Sequence, residues 1–210
     1  MLRPYRDNSD LESPLVLAPL PGGAQWEGKI AYLDRDGVLN KGSENYINSP
    51  DEVIVLDGAA DSIASLRASG FRVCVVTNQS PVGRGHWSHE DLFAIHLTLR
   101  NILASENKDA VIDLLLYSPY VPWEESWARK PNPGMLEAGR QLIDAAHSRP
   151  GEWVDIKFGK DWENRPDESG SIMVGDRDSD MQAARSHGVK GIQCSPENGL
   201  SGVIAEIMGR

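Results

Sequence analysis

The chain has 210 residues, 40% hydrophobic and 25% charged, the proportions of one ordinary globular domain rather than of a disordered or fibrous chain. Its net charge of −10 disfavours a partner held through a phosphate backbone, an affinity that needs clustered Lys and Arg, so no nucleic acid partner is expected. Two cysteines, Cys74 and Cys194, can build neither a disulfide framework nor a four-thiolate zinc site, and no apolar run is long enough to span a bilayer.

Residues 1–28 carry Pro4, Pro14, Pro19, Pro21 and the pair Gly22-Gly23 without a sustained period, which predicts an extension that drapes over the domain or is partly disordered. Its start lacks the charged-then-apolar order of a secretory signal, so a cytoplasmic protein without a membrane partner is expected, acting as a monomer. The domain is expected over 29–210. It opens with I-A-Y-L-D-R-D-G-V-L-N, an apolar strand from Ile30 that delivers Asp34 and Asp36 together before Gly37 turns the chain. Val53–Leu56 predicts a short strand, and Ala59, Ile63 and Leu66 recur at helical spacing until Gly70. Phe71–Thr77 is β-branched and nearly continuous in apolar character, as in a strand buried on both faces. Ser88 and Asp91 make a capping box for a helix with Leu92, Ile95, Leu99 and Ile102 inward. Ile112–Tyr117 predicts the next strand. After an aromatic and proline-rich loop, Asn132 and Pro133 are expected as cap and first residue of a helix burying Leu136, Leu142 and Ile143. Residues 147–170 are polar and long for a connection, predicting an insertion with Trp153, Phe158 and Trp162 as its buriable residues. A strand at Ile172–Val174, a helix from Ser179 to His187 closed by Gly188, a strand at Gly191–Gln193 and a helix from Leu200 to Met208 complete the chain.

Alternating strands and helices predict an α/β fold, a doubly wound parallel sheet, whose ligands bind beyond the carboxyl ends of the strands. Asp34, Asp36, Thr77, Asn78, Lys130 and Asp176 all fall there. Singly, Thr77-Asn78 is equally well a strand-ending turn, Lys130 a solvated charge, and Asp176 to Asp180 acids favoured by a helix N-terminus. Jointly, four separate elements supply what magnesium-assisted phosphoryl transfer needs: hard oxygen ligands, a carboxylate to attack phosphorus, a second as acid and base, and donors with one lysine to hold phosphate.

The stretches L-D-R-D-G-V-L-N, V-V-T-N-Q-S, R-K-P-N-P-G-M-L and M-V-G-D-R-D-S-D-M-Q-A-A resemble the four motifs of the haloacid dehalogenase (HAD) superfamily of phosphatases. More narrowly they are similar to the branch of the heptose bisphosphate and histidinol-phosphate phosphatases. The resemblance implies a Rossmann-like fold, here without room for a large cap domain, and a phosphatase acting through an aspartyl phosphate. It implies Asp34 as nucleophile, Asp36 as general acid/base, Thr77 and Asn78 as phosphate binders and Lys130 as the third-motif lysine. Arg129 and Arg84 fall at substrate-side positions; Asp34, Asp176 and the backbone carbonyl of Asp36 match the magnesium ligands, and Asp180 matches a further acid. Relatives often carry a zinc loop before R-K-P. Here its positions are Ser118, Tyr120, Ser126 and Ala128, so no structural zinc is expected, and packing of Tyr120, Trp123 and Trp127 is the alternative means of ordering that loop. The expected partner is a small phosphorylated metabolite, a sugar phosphate such as D-glycero-D-manno-heptose 1,7-bisphosphate in carbohydrate metabolism; the alternatives are histidinol phosphate and a non-catalytic member that binds a phosphorylated ligand or a partner protein.

Overall fold

The apolar runs assemble into one six-stranded sheet in the structure, a computed structural model that describes residues 1–209. Its strands are β1 (Tyr5–Arg6), β2 (Ile30–Leu33), β3 (Arg72–Asn78), β4 (Leu114–Ser118), β5 (Ile172–Gly175) and β6 (Lys190–Gln193), in the spatial order β1-β4-β3-β2-β5-β6. All pairs are parallel except β1 on β4. Six helices accompany them among the described residues: α1 (Ala59–Ala68), α2 (Ser80–Gly83), α3 (His89–Glu106), α4 (Gly134–Ser148), α5 (Asp178–His187) and α6 (Ile204–Ile207). None is long and apolar enough to cross a membrane.

Strand alternation divides β3 between the two faces. Val73 and Val75 join Ile63, Leu66, Leu92, Ile95 and Leu99 of α1 and α3, whereas Cys74 and Val76 join Leu136, Leu142, Ile143 and Ala183 of α4 and α5. Both faces are therefore covered, which explains why β2 and β4 are buried at every residue. The Ser88–Asp91 capping box opens α3 as expected, the hydroxyl accepting from Asp91 N at 3.1 Å and the carboxylate from Ser88 N at 2.9 Å.

Five expectations are corrected. The extension is not merely draped, since β1 adds an antiparallel edge strand to the sheet and Asp7 N bonds Leu115 O at 3.0 Å. Val53–Leu56 makes only a bridge at Val55, because its neighbour is the turn around Asn40 rather than an extended strand. Helix α4 begins at Gly134, after Pro133, because the Asn132 amide donates to Ser126 O of the preceding loop instead of capping. Leu200–Met208 breaks into a 3₁₀ turn over Gly199–Gly202 and the short α6, as two glycines would dictate. Within 147–170, Val154, Ile156 and Phe158 alternate inward, which turns Trp153 outward at 63% exposure.

The extension is fastened by buried charge. Asp113 accepts from Arg67 at 2.7 Å, Arg72 at 3.0 Å and Val73 N at 2.9 Å. The same two arginines donate onward to Pro19 O and Ala18 O. Removing one member of a buried ion pair strands its partners without solvent. Asp113→Ala is therefore expected to destabilise the fold by about 3–5 kcal/mol in urea denaturation; a loss below about 1 kcal/mol would contradict the triad's role.

Candidate active site

Strand β2 runs straight into the site: Asp34 N continues its ladder to Val174 O at 2.9 Å, and the chain then folds back so that Leu39 N reaches Arg35 O at 2.9 Å. Gly37 permits that turn, with φ of +81° and an approach so close that a Cβ would sit 2.6 Å from Asp176 Oδ2. The turn leaves Asp34 and Asp36 at the carboxyl edge of the sheet, beside the ends of β3 and β5.

Lys130 enters from the loop before α4, and its buried ammonium lies 2.8 Å from Asp34 Oδ1, 2.7 Å from Asp180 Oδ1 and 2.8 Å from Val76 O. Burial alone would discharge this lysine, but the two carboxylates outweigh that cost and raise its pKa. Asp34 is pushed up to about 6, first by burial and then by Asp180 and Asp36, against the opposing pull of Lys130. Burial raises Asp176 as well, with Asp180 adding to it. Because Asp34 Oδ1 also accepts from Arg35 N at 2.8 Å, Oδ2 is the oxygen left with a free lone pair toward the cleft.

Asp36 turns away from that cluster. Its carboxylate accepts from Arg35 at 2.8–3.0 Å, Asn40 at 2.9 Å and Gln79 at 3.1 Å. Burial would raise its pKa, yet Arg35 and these hydrogen bonds prevail and hold it below the ordinary carboxylate range. The carboxylates that do converge are Asp34, Asp176 and Asp180, each offering an oxygen within 4.8 Å of the others. Asp176 Oδ1 is buried without a hydrogen-bond partner, and a donor set made only of carboxylate oxygens fits a hard divalent cation such as Mg²⁺.

Asp34, Asp36, Thr77, Asn78, Arg84, Arg129 and Lys130 line one cleft of about 410 Å³, and Asp176 lines an adjoining hollow with Asp36 and Arg177. Thr77 Oγ1 accepts from Gln79 at 2.8 Å. The Asn78 side chain is used differently from the expectation, since its amide donates to Lys130 O at 3.0 Å and its oxygen accepts from Lys130 N at 3.1 Å, clamping the lysine's backbone. Arg84 lies over Trp123 with 5.0 Å to the ring centroid, and Arg129 is tied to Tyr120 O at 3.0 Å. Burial, followed by the positive charges of Arg84 and Arg177, lowers the Arg129 pKa, so three arginines share the mouth of the cleft.

Arg35, Gln79 and Arg177 line the cleft without having been expected in it. Adjacency to Asp34, Asn78 and Asp176 was the only signal available. The loop before Lys130 is held partly by packing and partly by the N-terminal segment. Trp127 donates to Glu137 at 2.7 Å, Tyr120 to Arg3 O at 3.0 Å and Ser126 to Leu2 O at 3.4 Å. Trp123, in contrast, stays 69% exposed.

Because a cation competes with protons for this carboxylate cluster, its binding must strengthen as pH rises through the Asp34 value of about 6. Mg²⁺ is expected to raise the melting temperature more at pH 7.5 than at pH 5.0. An equal rise at both would contradict the assignment of the cluster as the cation site.

A family model described as HAD-hydrolase-like matches residues 127–195. The chain is 35% identical over 167 residues to the D-glycero-beta-D-manno-heptose-1,7-bisphosphate 7-phosphatase of Pseudomonas aeruginosa, covering 80% of this chain and 78% of that protein. It is 31% identical over 170 residues to the D-glycero-alpha-D-manno-heptose-1,7-bisphosphate 7-phosphatase of Burkholderia mallei, covering 78% and 77%. The solved D,D-heptose 1,7-bisphosphate phosphatase from B. bronchiseptica, complexed with magnesium and phosphate, matches with a TM-score of 0.69 at 29% identity, over 86% of this chain and 98% of that one. The chain is thus a phosphatase that belongs to the HAD superfamily, in the family of the D-glycero-D-manno-heptose-1,7-bisphosphate phosphatases.

Proposed function

We propose that the chain removes one phosphate from a sugar bisphosphate, D-glycero-D-manno-heptose 1,7-bisphosphate being the substrate favoured by its relatives' names. The observation that carries this reading is the pairing of two anion sites in a chain of net charge −10: Lys130 at the floor of the cleft, and Arg84, Arg129 and Arg177 at its mouth. One phosphate is held where Asp34 can reach it, and the arginines hold the other. Histidinol phosphate, which carries a cationic amine instead of a second phosphate, suits that mouth poorly.

Asp34 Oδ2 attacks phosphorus as the bond from phosphorus to the sugar oxygen breaks, and Asp36 gives its proton to that oxygen. Water then attacks phosphorus, returns a proton to Asp36 and releases Asp34. Arg35 favours the ionised Asp36 that the second step needs; an arriving phosphate dianion raises its pKa for the first. Lys130 offsets the negative charge that gathers on Asp34, Asp180 and the transferring group, and Thr77 offers a hydroxyl at the same floor. Asp34, Asp176 and Asp180, with the Asp36 backbone carbonyl expected from the family, are the groups that would hold a magnesium ion, which when bound would neutralise phosphate charge.

Phosphate release from both anomers of the heptose bisphosphate tests this reading. The wild-type chain should turn one over in a magnesium-dependent manner and Asp34→Asn should fall to background; undiminished turnover by Asp34→Asn would remove the nucleophile assignment. Arg84→Ala is expected to raise KM for the bisphosphate roughly 10-fold, the worth of one charge-assisted hydrogen bond, while leaving KM for p-nitrophenyl phosphate unchanged. Equal effects on both would deny Arg84 the second phosphate.

A further inference from the structure

The guanidinium of Arg35 is 2% exposed and divides its donors between two partners. Nε and Nη2 hold the Asp36 carboxylate, whereas Nη1 lies 3.1 Å from Nε2 of His96, a fully buried ring on α3. Arginine can only donate, so Nε2 must accept, which leaves the proton of a neutral imidazole on Nδ1. That nitrogen lies 2.9 Å from Asp7 Oδ1 and therefore donates to it. Burial lowers the His96 pKa, in keeping with a neutral ring.

The outer end of this chain of bonds is fixed by the N-terminal segment. Asp7 follows β1 directly, its N–H is bonded to Leu115 O at 3.0 Å, and its other carboxylate oxygen faces Arg100 Nε at 3.9 Å. The Tyr117 ring packs across His96 at 6.0 Å and 61°, so the imidazole has little freedom to turn. Without Asp7 the imidazole has no partner that selects the Nδ1–H tautomer, and without that tautomer Arg35 Nη1 loses its acceptor.

We propose that Asp7 and His96 are positioning residues for the reaction, acting through Arg35 to aim the Asp36 carboxylate at the leaving oxygen, so that the N-terminal extension belongs to the active site. The proposal rests on the reading of Asp36 as general acid/base and extends it to residues 29 and 60 positions away in sequence. A buried ionic cluster serving stability alone would raise every rate and every melting temperature without regard to the leaving group. A device that aims an acid matters most where the leaving group needs a proton.

Aryl phosphates of graded phenol acidity distinguish the two and do not depend on which sugar is the substrate. Asp7→Ala, shown folded by circular dichroism, is expected to keep kcat for p-nitrophenyl phosphate within about 3-fold while kcat for phenyl phosphate falls roughly 10-fold, a part of what a well-placed acid contributes. Asp7→Asn, whose side-chain oxygen still accepts from Nδ1–H, should restore the wild-type dependence, and it serves as the test should Asp7→Ala not fold. Asp36→Asn should show the same bias more strongly. Equal losses on both esters in Asp7→Ala, with the bias intact in Asp36→Asn, would overturn the positioning role alone. Absence of the bias in Asp36→Asn would overturn the acid/base reading and the positioning role together.

Discussion

The structure is organised around an ammonium group buried almost completely at the floor of the cleft. Lys130 Nζ sits between Asp34 and Asp180, and its positive charge opposes the upward push that burial exerts on the Asp34 pKa. Other features follow from the need to keep that ion in place. Val76 O accepts a hydrogen bond from it, the Asn78 amide clamps its backbone, and Gly175 must lack a side chain because a Cβ there would collide with Asp180. The floor of the cleft is thus a fixed positive charge that a phosphate can share.

Around this centre the two aspartates of the first motif are separated by environment. Asp34 is raised by burial among other acids, while Asp36 is lowered by Arg35 and two amides. In the proposed reaction such divergence suits the different work of two carboxylates two positions apart. The loop that carries Lys130 and Arg129 is in turn tied to backbone oxygens of Leu2 and Arg3, so one end of the chain supports both the loop and, through Asp7, the side of the site where Asp36 lies.

What could be read in the sequence was the chemistry that sits at strand ends. The parallel core from β2 to β6, the glycine turn after Asp36 and the capping box of α3 all carry local signals of period, cap or turn. The residues that could not be read are those whose partners are remote. Asp7 meets His96 across 89 positions and Asn78 meets Lys130 across 52, and neither pairing leaves a periodic trace. Strand β1, of two residues, is too short to show alternation, and the polar residues between Val154, Ile156 and Phe158 mask the alternation that turns Trp153 outward. Asp180 reads in the sequence as a further acid at a helix start, and only the fold places it against Lys130.

The covalent role of Asp34 is tested most directly by quenching the enzyme in acid during turnover of a phosphate ester, reducing with borohydride and mapping peptides by mass spectrometry. An aspartyl phosphate at Asp34 predicts homoserine at position 34 and nowhere else in the chain. Unmodified Asp34 in a mixture where phosphate is still being released, with homoserine formed at another aspartate, would contradict it.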